Sequence, residues 1–291
     1  MRPVAHAALW MSGSIASFSA MAVAGREVAV QLDTFEIMMY RSLLGLFIVL
    51  SIAGCTGAWR QISTQHMGTH VMRNTAHFAG QNLWFFAVTV IPLAQVFAIE
   101  FTSPLWVIVL SPLILGERLT RMRVGAALVG FIGILIVARP TVEGINAGVV
   151  AAASAAIFFA LTIMLTKKLT RTQSITGILF FLTAMQLVMG VICAGFDGDI
   201  AVPNAQALPY VLLIGVAGLL AHFCLTNALS IAPATVVVPI DFIRLPVIAI
   251  VGMLVYQEAL DVWVFVGAGV IFIGNYANLW VESRKASGGV V

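Results

Sequence analysis

Ten runs of apolar residues, each about long enough for a helix to cross a bilayer, follow one another along this chain of 291 residues. They fall at 5–24, 34–54, 71–90, 93–115, 122–138, 146–166, 174–195, 208–230, 234–256 and 262–281. One helical span needs about 20 such residues, so the runs occupy most of the chain and leave no room for a separate soluble domain. Hydrophobic residues make up 61% and charged ones 9%, whereas a soluble domain carries about a quarter charged residues. Such a chain cannot cover its own surface in water, and its expected solvent is lipid. The fold class that follows is all-α integral membrane, with about ten transmembrane helices. The links are short, as at Asp197-Gly198-Asp199, and are tightest at Ile91-Pro92 and Ala232-Pro233. Proline suits the first turn of a new helix, where its missing N–H would have no partner anyway. Arg2, the first run and Ala22-Val23-Ala24 resemble a cleavable signal peptide. A counterpart of that segment recurs later in the chain, where it cannot be cleaved, so it is read as a span.

Displacing the sequence by 141 residues lays one half on the other. Pro92 falls on Pro233, Ile99 on Ile240, Glu100 on Asp241 and Phe101 on Phe242. Farther along, Glu117 falls on Glu258, Leu119 on Leu260, and Phe131-Ile132-Gly133 on Phe272-Ile273-Gly274. Apolar matches between apolar helices come easily, but matched acids do not, so the pattern indicates a repeat. The expected units are residues 1–140 and 141–291, five helices each. An odd number of crossings turns the second unit upside down. The charges agree: residues 117–123 carry Arg118, Arg121 and Arg123, where 258–264 carry Ala259, Val262 and Val264. Arg60, Arg73, Lys167, Lys168, Arg171, Arg284 and Lys285 join those arginines and Arg2 on one side, and the other side's loops hold only Arg26 and Arg139. By the positive-inside rule both termini are expected on the cytoplasmic side of an inner membrane. Inverted repeats that meet at the bilayer midplane suit alternating-access transport.

Gly116-Glu117-Arg118-Leu119, followed by Gly125, Gly130 and Gly133, and Gln257-Glu258-Ala259-Leu260, followed by Gly267 and Gly274, extend the match. With the ten-span layout, these residues make the chain resemble the drug/metabolite transporter superfamily, specifically the bacterial family with two tandem EamA domains. Gln257 stands where that family usually has glycine. The resemblance covers essentially the whole chain. It implies a central cavity lined mainly by the third, fourth, eighth and ninth helices, with help from the first and sixth, and secondary transport of organic metabolites without ATP. Some similar members import riboflavin, which makes riboflavin uptake the substrate reading. Export of amino acids or related metabolites is the alternative, because fold membership does not name the cargo.

The residues themselves point to a site. Glu100 and Asp241 lie within the fourth and ninth runs, and Arg244, three residues after Asp241, shares its helical face. Charges inside the bilayer are costly and usually face a cavity or a partner. The cluster binds a substrate group, carries a coupling proton on Glu100 or Asp241, or locks the two halves together. A proton is plausible chemistry there because a low-dielectric surround disfavours a lone carboxylate anion. His77, Gln81 and Trp84 share a face of the third helix, and His222 is the repeat mate of Gln81. Polar groups beside aromatic rings suit a planar, partly polar ligand; interhelical hydrogen bonding is the plainer role, favoured for His77 and Asn82. The expected substrate-binding set is therefore Gln81, Trp84, Glu100, His222, Asp241 and Arg244, with Phe97, Phe101 and Phe242 as walls.

Pro104, Pro239 and Pro246 free backbone carbonyls in corresponding runs, which marks a binding region or a simple bend. Arg41 either draws an anionic substrate, snorkels outward or pairs with Glu36. Glu117 and Glu258 are read as caps of tight turns. The small residues Gly125, Ala126, Gly130 and Gly133, with Gly267, Gly269 and Gly274, form the scaffold or a homodimer seam. Cys55, Cys193 and Cys224 have neither disulfide nor metal spacing and read as small buried hydrophobes. No cofactor, metal or nucleic-acid partner is expected, only a small-molecule substrate and the lipid bilayer. A membrane-embedded enzyme is the rival class, but the histidines show no His-Glu-x-x-His spacing and there is no nucleophile elbow.

Overall fold

The computed structural model describes residues 3–115, 121–138, 146–196, 198–232, 237, 240–259 and 261–288. Among these, all regular structure is helical: α1 (Pro3–Val28), α2 (Thr34–Thr56), α3 (Met67–Val90), α4 (Leu93–Glu100), α5 (Ser103–Leu115), α6 (Arg121–Ala138), α7 (Ala147–Leu169), α8 (Ile175–Ala194), α9 (Leu208–Ile231), α10 (Arg244–Tyr256) and α11 (Val262–Gly288). Turns of 3₁₀ helix at Ala58–Gln61 and Asp241–Ile243 complete the order. Five helices, α1, α2, α7, α8 and α9, are long and apolar enough to cross a membrane, and shorter apolar helices accompany them.

The exterior explains why the interior can be polar. Phe47, Ile192 and Leu254 are 68%, 64% and 71% exposed, while Asn74 and His70 are fully buried and Arg73 is 2% exposed. That inversion of the usual soluble pattern is what a lipid solvent demands. α3 is the helix that hydropathy underrates, because the face it buries carries His70, Arg73, Asn74, His77 and Gln81.

α1 runs antiparallel along α9, α3 along α7, α2 against α8, and α6 against α11. The end where α1 and α3 begin, and α7 and α9 finish, is called proximal here; the opposite end is distal. Glycine sets the closest approaches. A Cβ on Gly190 of α8 would lie 2.9 Å from the Met39 Cα of α2, and one on Gly133 of α6 would lie 2.8 Å from the Gly267 carbonyl of α11. Gly133 and Gly267 are therefore part of the scaffold within one chain. Gly125 and Gly269 face open space instead.

The fourth run is not one helix. It breaks at Phe101–Thr102, directly after Glu100. Pro104 has no N–H to give the Glu100 carbonyl four residues back, and the Ser103 hydroxyl takes that carbonyl at 2.6 Å. The ninth run is irregular at the corresponding place: Asp241 opens the 3₁₀ turn, and Pro246 has no N–H to give the Phe242 carbonyl. Pro239 lies outside the described residues, as do Pro233 and Glu117. Arg73 belongs to α3 and not to a connecting segment, since that helix begins at Met67. Cys224 is buried as expected, but Cys55 is exposed, since it sits on an outward face near the end of α2.

Candidate functional site

Side chains from α1, α3, α7, α9 and the two irregular segments enclose a cavity of about 770 Å³, its open mouth included. Its walls are mostly apolar, with Met11, Phe18, Met21, Phe159, Ile163 and Leu225. All six expected binding residues, Gln81, Trp84, Glu100, His222, Asp241 and Arg244, line it.

At its deep end three charges meet. Arg244 Nη2 donates to Glu100 Oε1 at 2.8 Å and to Asp241 Oδ2 at 2.5 Å. Trp84 Nε1–H donates to the other Glu100 oxygen at 2.8 Å. The guanidinium lies 4.7 Å over the Phe97 ring, 5.0 Å over Phe18 and 5.6 Å over Phe101. Phe97 and Phe101 thus back the arginine rather than face the cavity, and the Phe242 side chain lies outside the described residues. The helix breaks put both carboxylates here. Glu100 closes α4 with its acid facing Arg244, directly before the break at 101–102.

One and two turns toward the proximal end, the cavity wall becomes imidazole and amide. His77 Nε2 and His222 Nε2 are 3.0 Å apart, so one nitrogen donates and the other accepts. This contact joins α3 to α9 and gives His77 a place on the cavity wall as well as an interhelical bond. Gln81 accepts a hydrogen bond from Arg41 Nη1. Arg41 is buried and does not snorkel, nor does it pair with Glu36; its second amide partner is Gln186, at 3.4 Å. Glu36 is committed elsewhere, closing the capping box of α2 with Asp33 and accepting from the Ala201 N–H at 2.5 Å. Asn82 donates to the Phe78 carbonyl one turn back, a local bond with no site role.

Arg73 is the residue the sequence reading passed over. It lines the cavity and is buried, held by Thr166 Oγ1 at 3.1 Å and Asn74 Oδ1 at 2.6 Å, with no carboxylate beside it among the described residues. The signal was present, since Arg73 is four residues before His77 and continues the stripe of His77, Gln81 and Trp84. The cavity therefore has two electrostatic ends. Glu100 and Asp241 share a single arginine at one. Arg73, with Arg41 behind Gln81, supplies positive charge at the other that no described carboxylate neutralises. Ser14 Oγ, His77 Nδ1, Asp241 Oδ1 and Arg244 Nε make no hydrogen bond among the described residues. Buried polar atoms are ordinarily satisfied, so this wall has spare bonding capacity where a solute would sit.

A helical, multi-pass membrane protein with a largely apolar chamber that holds a few charged and polar groups between its helices is the class these features define. The chain belongs to the EamA-like transporter family, which matches residues 6–139 and 146–280. It is 31% identical to a riboflavin transporter of Brucella anthropi, over 81% of this chain and 84% of the relative. It is 25% identical to an S-adenosylmethionine uptake transporter of Rickettsia bellii, over 96% of this chain and 94% of that one. A crystal structure with 16% sequence identity shares the fold, with a TM-score of 0.71 over 96% of this chain and 98% of the other.

Proposed function

We propose that this chain is a secondary carrier, not an enzyme, that moves a small organic metabolite across the bacterial inner membrane by alternating access. Two inverted five-helix units, residues 1–140 and 141–291, with both termini cytoplasmic, make up the machine. Support comes from the 141-residue register, from the opposite charge of equivalent loops, and from the packing partners. Exchanging the halves turns the α1–α9 pair into α7–α3 and returns α2–α8 and α6–α11 to themselves.

The observation that carries the reading is the cavity: apolar and aromatic walls with unpartnered polar atoms, enclosed by helices from both halves. A planar, partly polar solute fits these walls, Trp84 and Phe18 supplying ring area while His77 and His222 fix orientation. Riboflavin is the first candidate, given the 31% identical relative. The uncompensated charge of Arg73 and Arg41 favours a second reading, a solute that also bears an acidic group, as an adenosyl amino acid does. The coupling proton, on this proposal, travels on Glu100 or Asp241, because Arg244 keeps one carboxylate partner when the other is protonated.

The test is binding and uptake by the purified chain in proteoliposomes, with labelled riboflavin and S-adenosylmethionine as probes. Alanine at Gln81, His222 or Asp241 is expected to weaken binding of the transported probe about tenfold, each lost polar contact being worth about 1–2 kcal/mol. Unchanged affinity in all three variants would remove the site assignment.

A further inference from the structure

The distal end of the bundle is fastened by a basic side chain with a counterpart at the proximal end. Arg26, near the end of α1, donates to the Val88 carbonyl through Nε at 2.7 Å and to the Ile91 carbonyl through Nη2 at 2.7 Å. Lys167, near the end of α7, donates through Nζ to the Leu229 carbonyl at 2.7 Å and the Ala232 carbonyl at 3.1 Å. Each position in the second set lies 141 residues beyond its mate in the first. Both hooks tie down the last carbonyls of a helix, groups that have no intrahelical partner.

The two hooks differ in what else they hold. The planar fork of Arg26 has donors to spare, and its Nη1 ion-pairs with Glu258. The same carboxylate accepts from the Leu93 N–H, the first of α4, at 3.1 and 3.3 Å. The Arg26 guanidinium also lies 4.9 Å over the Tyr256 ring, whose hydroxyl donates to the Val23 carbonyl at 3.2 Å. Gln257, at φ +53°, turns the chain back at the end of α10, and Gly252 leaves room for the Glu258 carboxylate. One ion pair thereby draws together α1, the α3–α4 junction and the end of α10. Among the described residues Lys167 meets no carboxylate. The cavity is placed accordingly. Its lining reaches Thr166 and Thr226 proximally but stops at Met21 and Trp84, short of Arg26.

We infer that the Arg26–Glu258 pair is the distal seal of the carrier, the contact that must break before the central site can face that side. The inference rests on the carriage reading above. Arg26 and Glu258 act as positioning residues: they touch no solute and set the population of the state open to the distal side. A pair with no such role would affect only the stability of the fold.

Sided thiol labelling tests this, with Cys55, Cys193 and Cys224 replaced by alanine and a membrane-impermeant maleimide as probe, in right-side-out and inside-out vesicles. Met21→Cys reports the distal end of the cavity and Ser14→Cys its interior. In the parent chain, distal labelling of Met21→Cys is slow. Arg26→Lys retains a hook like that of Lys167 and loses the fork, and Glu258→Gln retains an acceptor for the Leu93 N–H; both keep the fold. Each is expected to speed distal labelling about tenfold. The double variant should gain no more than either alone, because the pair acts as a unit, and Lys167→Gln should leave the distal rate unchanged. Distal labelling at the parent rate in both single variants, with Ser14→Cys still labelled from the proximal side, overturns the seal and spares the carriage reading. Failure of Ser14→Cys to label from either side in the parent chain removes the cavity and the carriage reading with it.

Discussion

Arg244→Met isolates the charge cluster from the rest of the cavity. The substitution removes the bonds of 2.8 and 2.5 Å and leaves two carboxylates facing each other without a cation. Their side chains are 13% and 18% exposed, so water screens them little. Removing one partner of a buried ion pair costs about 3–5 kcal/mol. The Trp84 bond to Glu100 is present with or without Arg244 and cancels in the difference, so the net loss is about 3–5 kcal/mol. At about 2–4 °C per kcal/mol, the melting midpoint of the purified protein in detergent should fall by roughly 10 °C. Glu100→Gln and Asp241→Asn each leave Arg244 one carboxylate and should cost about 1 kcal/mol. Neutralising all three at once strands no charge, so Arg244→Met/Glu100→Gln/Asp241→Asn should melt within a few degrees of the parent chain. Uptake should stay lost in that triple variant, since its solute contacts are gone. A triple variant that regained uptake as well as stability would reduce the cluster to a clamp. An Arg244→Met protein that melted like the parent would refute the premise that these acids need their cation.

The other expectations are read more simply. Gln257 holds a left-handed conformation that favours glycine, so Gln257→Gly should raise the melting midpoint by a few degrees, worth about 1 kcal/mol. Arg73→Gln should weaken an acidic solute about tenfold or more and a neutral one far less, as read by competition binding. If Glu100 or Asp241 carries a proton, an inward-directed proton gradient should drive uptake; indifference to the gradient, with Glu100→Gln unimpaired, refutes coupling. Reporter fusions should place residues 117–123 and 258–264 in opposite compartments, and a shared compartment excludes inversion.

Much of this was legible in the sequence because lipid imposes simple rules. A helix that must bury its backbone in hydrocarbon shows as an apolar run, so α1, α2, α7, α8 and α9 lie within a few residues of their expected bounds. The pairing of Asp241 with Arg244 followed from their spacing, and the prolines at 104 and 246 marked real interruptions. What stayed hidden depends on contacts distant in sequence. Arg73 counts as a loop charge until α3 is seen to begin at Met67. Gln81 and His222 align in the 141-residue register, yet the imidazole meets His77, one turn along α3 from that amide. Glu258 does cap a helix, as its position suggests, but the helix is α4, which begins 165 residues earlier. Only three-dimensional packing reveals such a partner.

The polarity of α3 bears on how the chain is made. Arg73 is held by Thr166 and Asn74 by the Phe181 carbonyl, groups synthesised 93 and 107 residues later. Until α7 and α8 emerge, α3 presents a guanidinium and an amide to whatever surrounds it, and hydrocarbon cannot satisfy either. Without α7 and α8, α3 therefore carries the cost of those polar groups, and the arrival of the later helices relieves it.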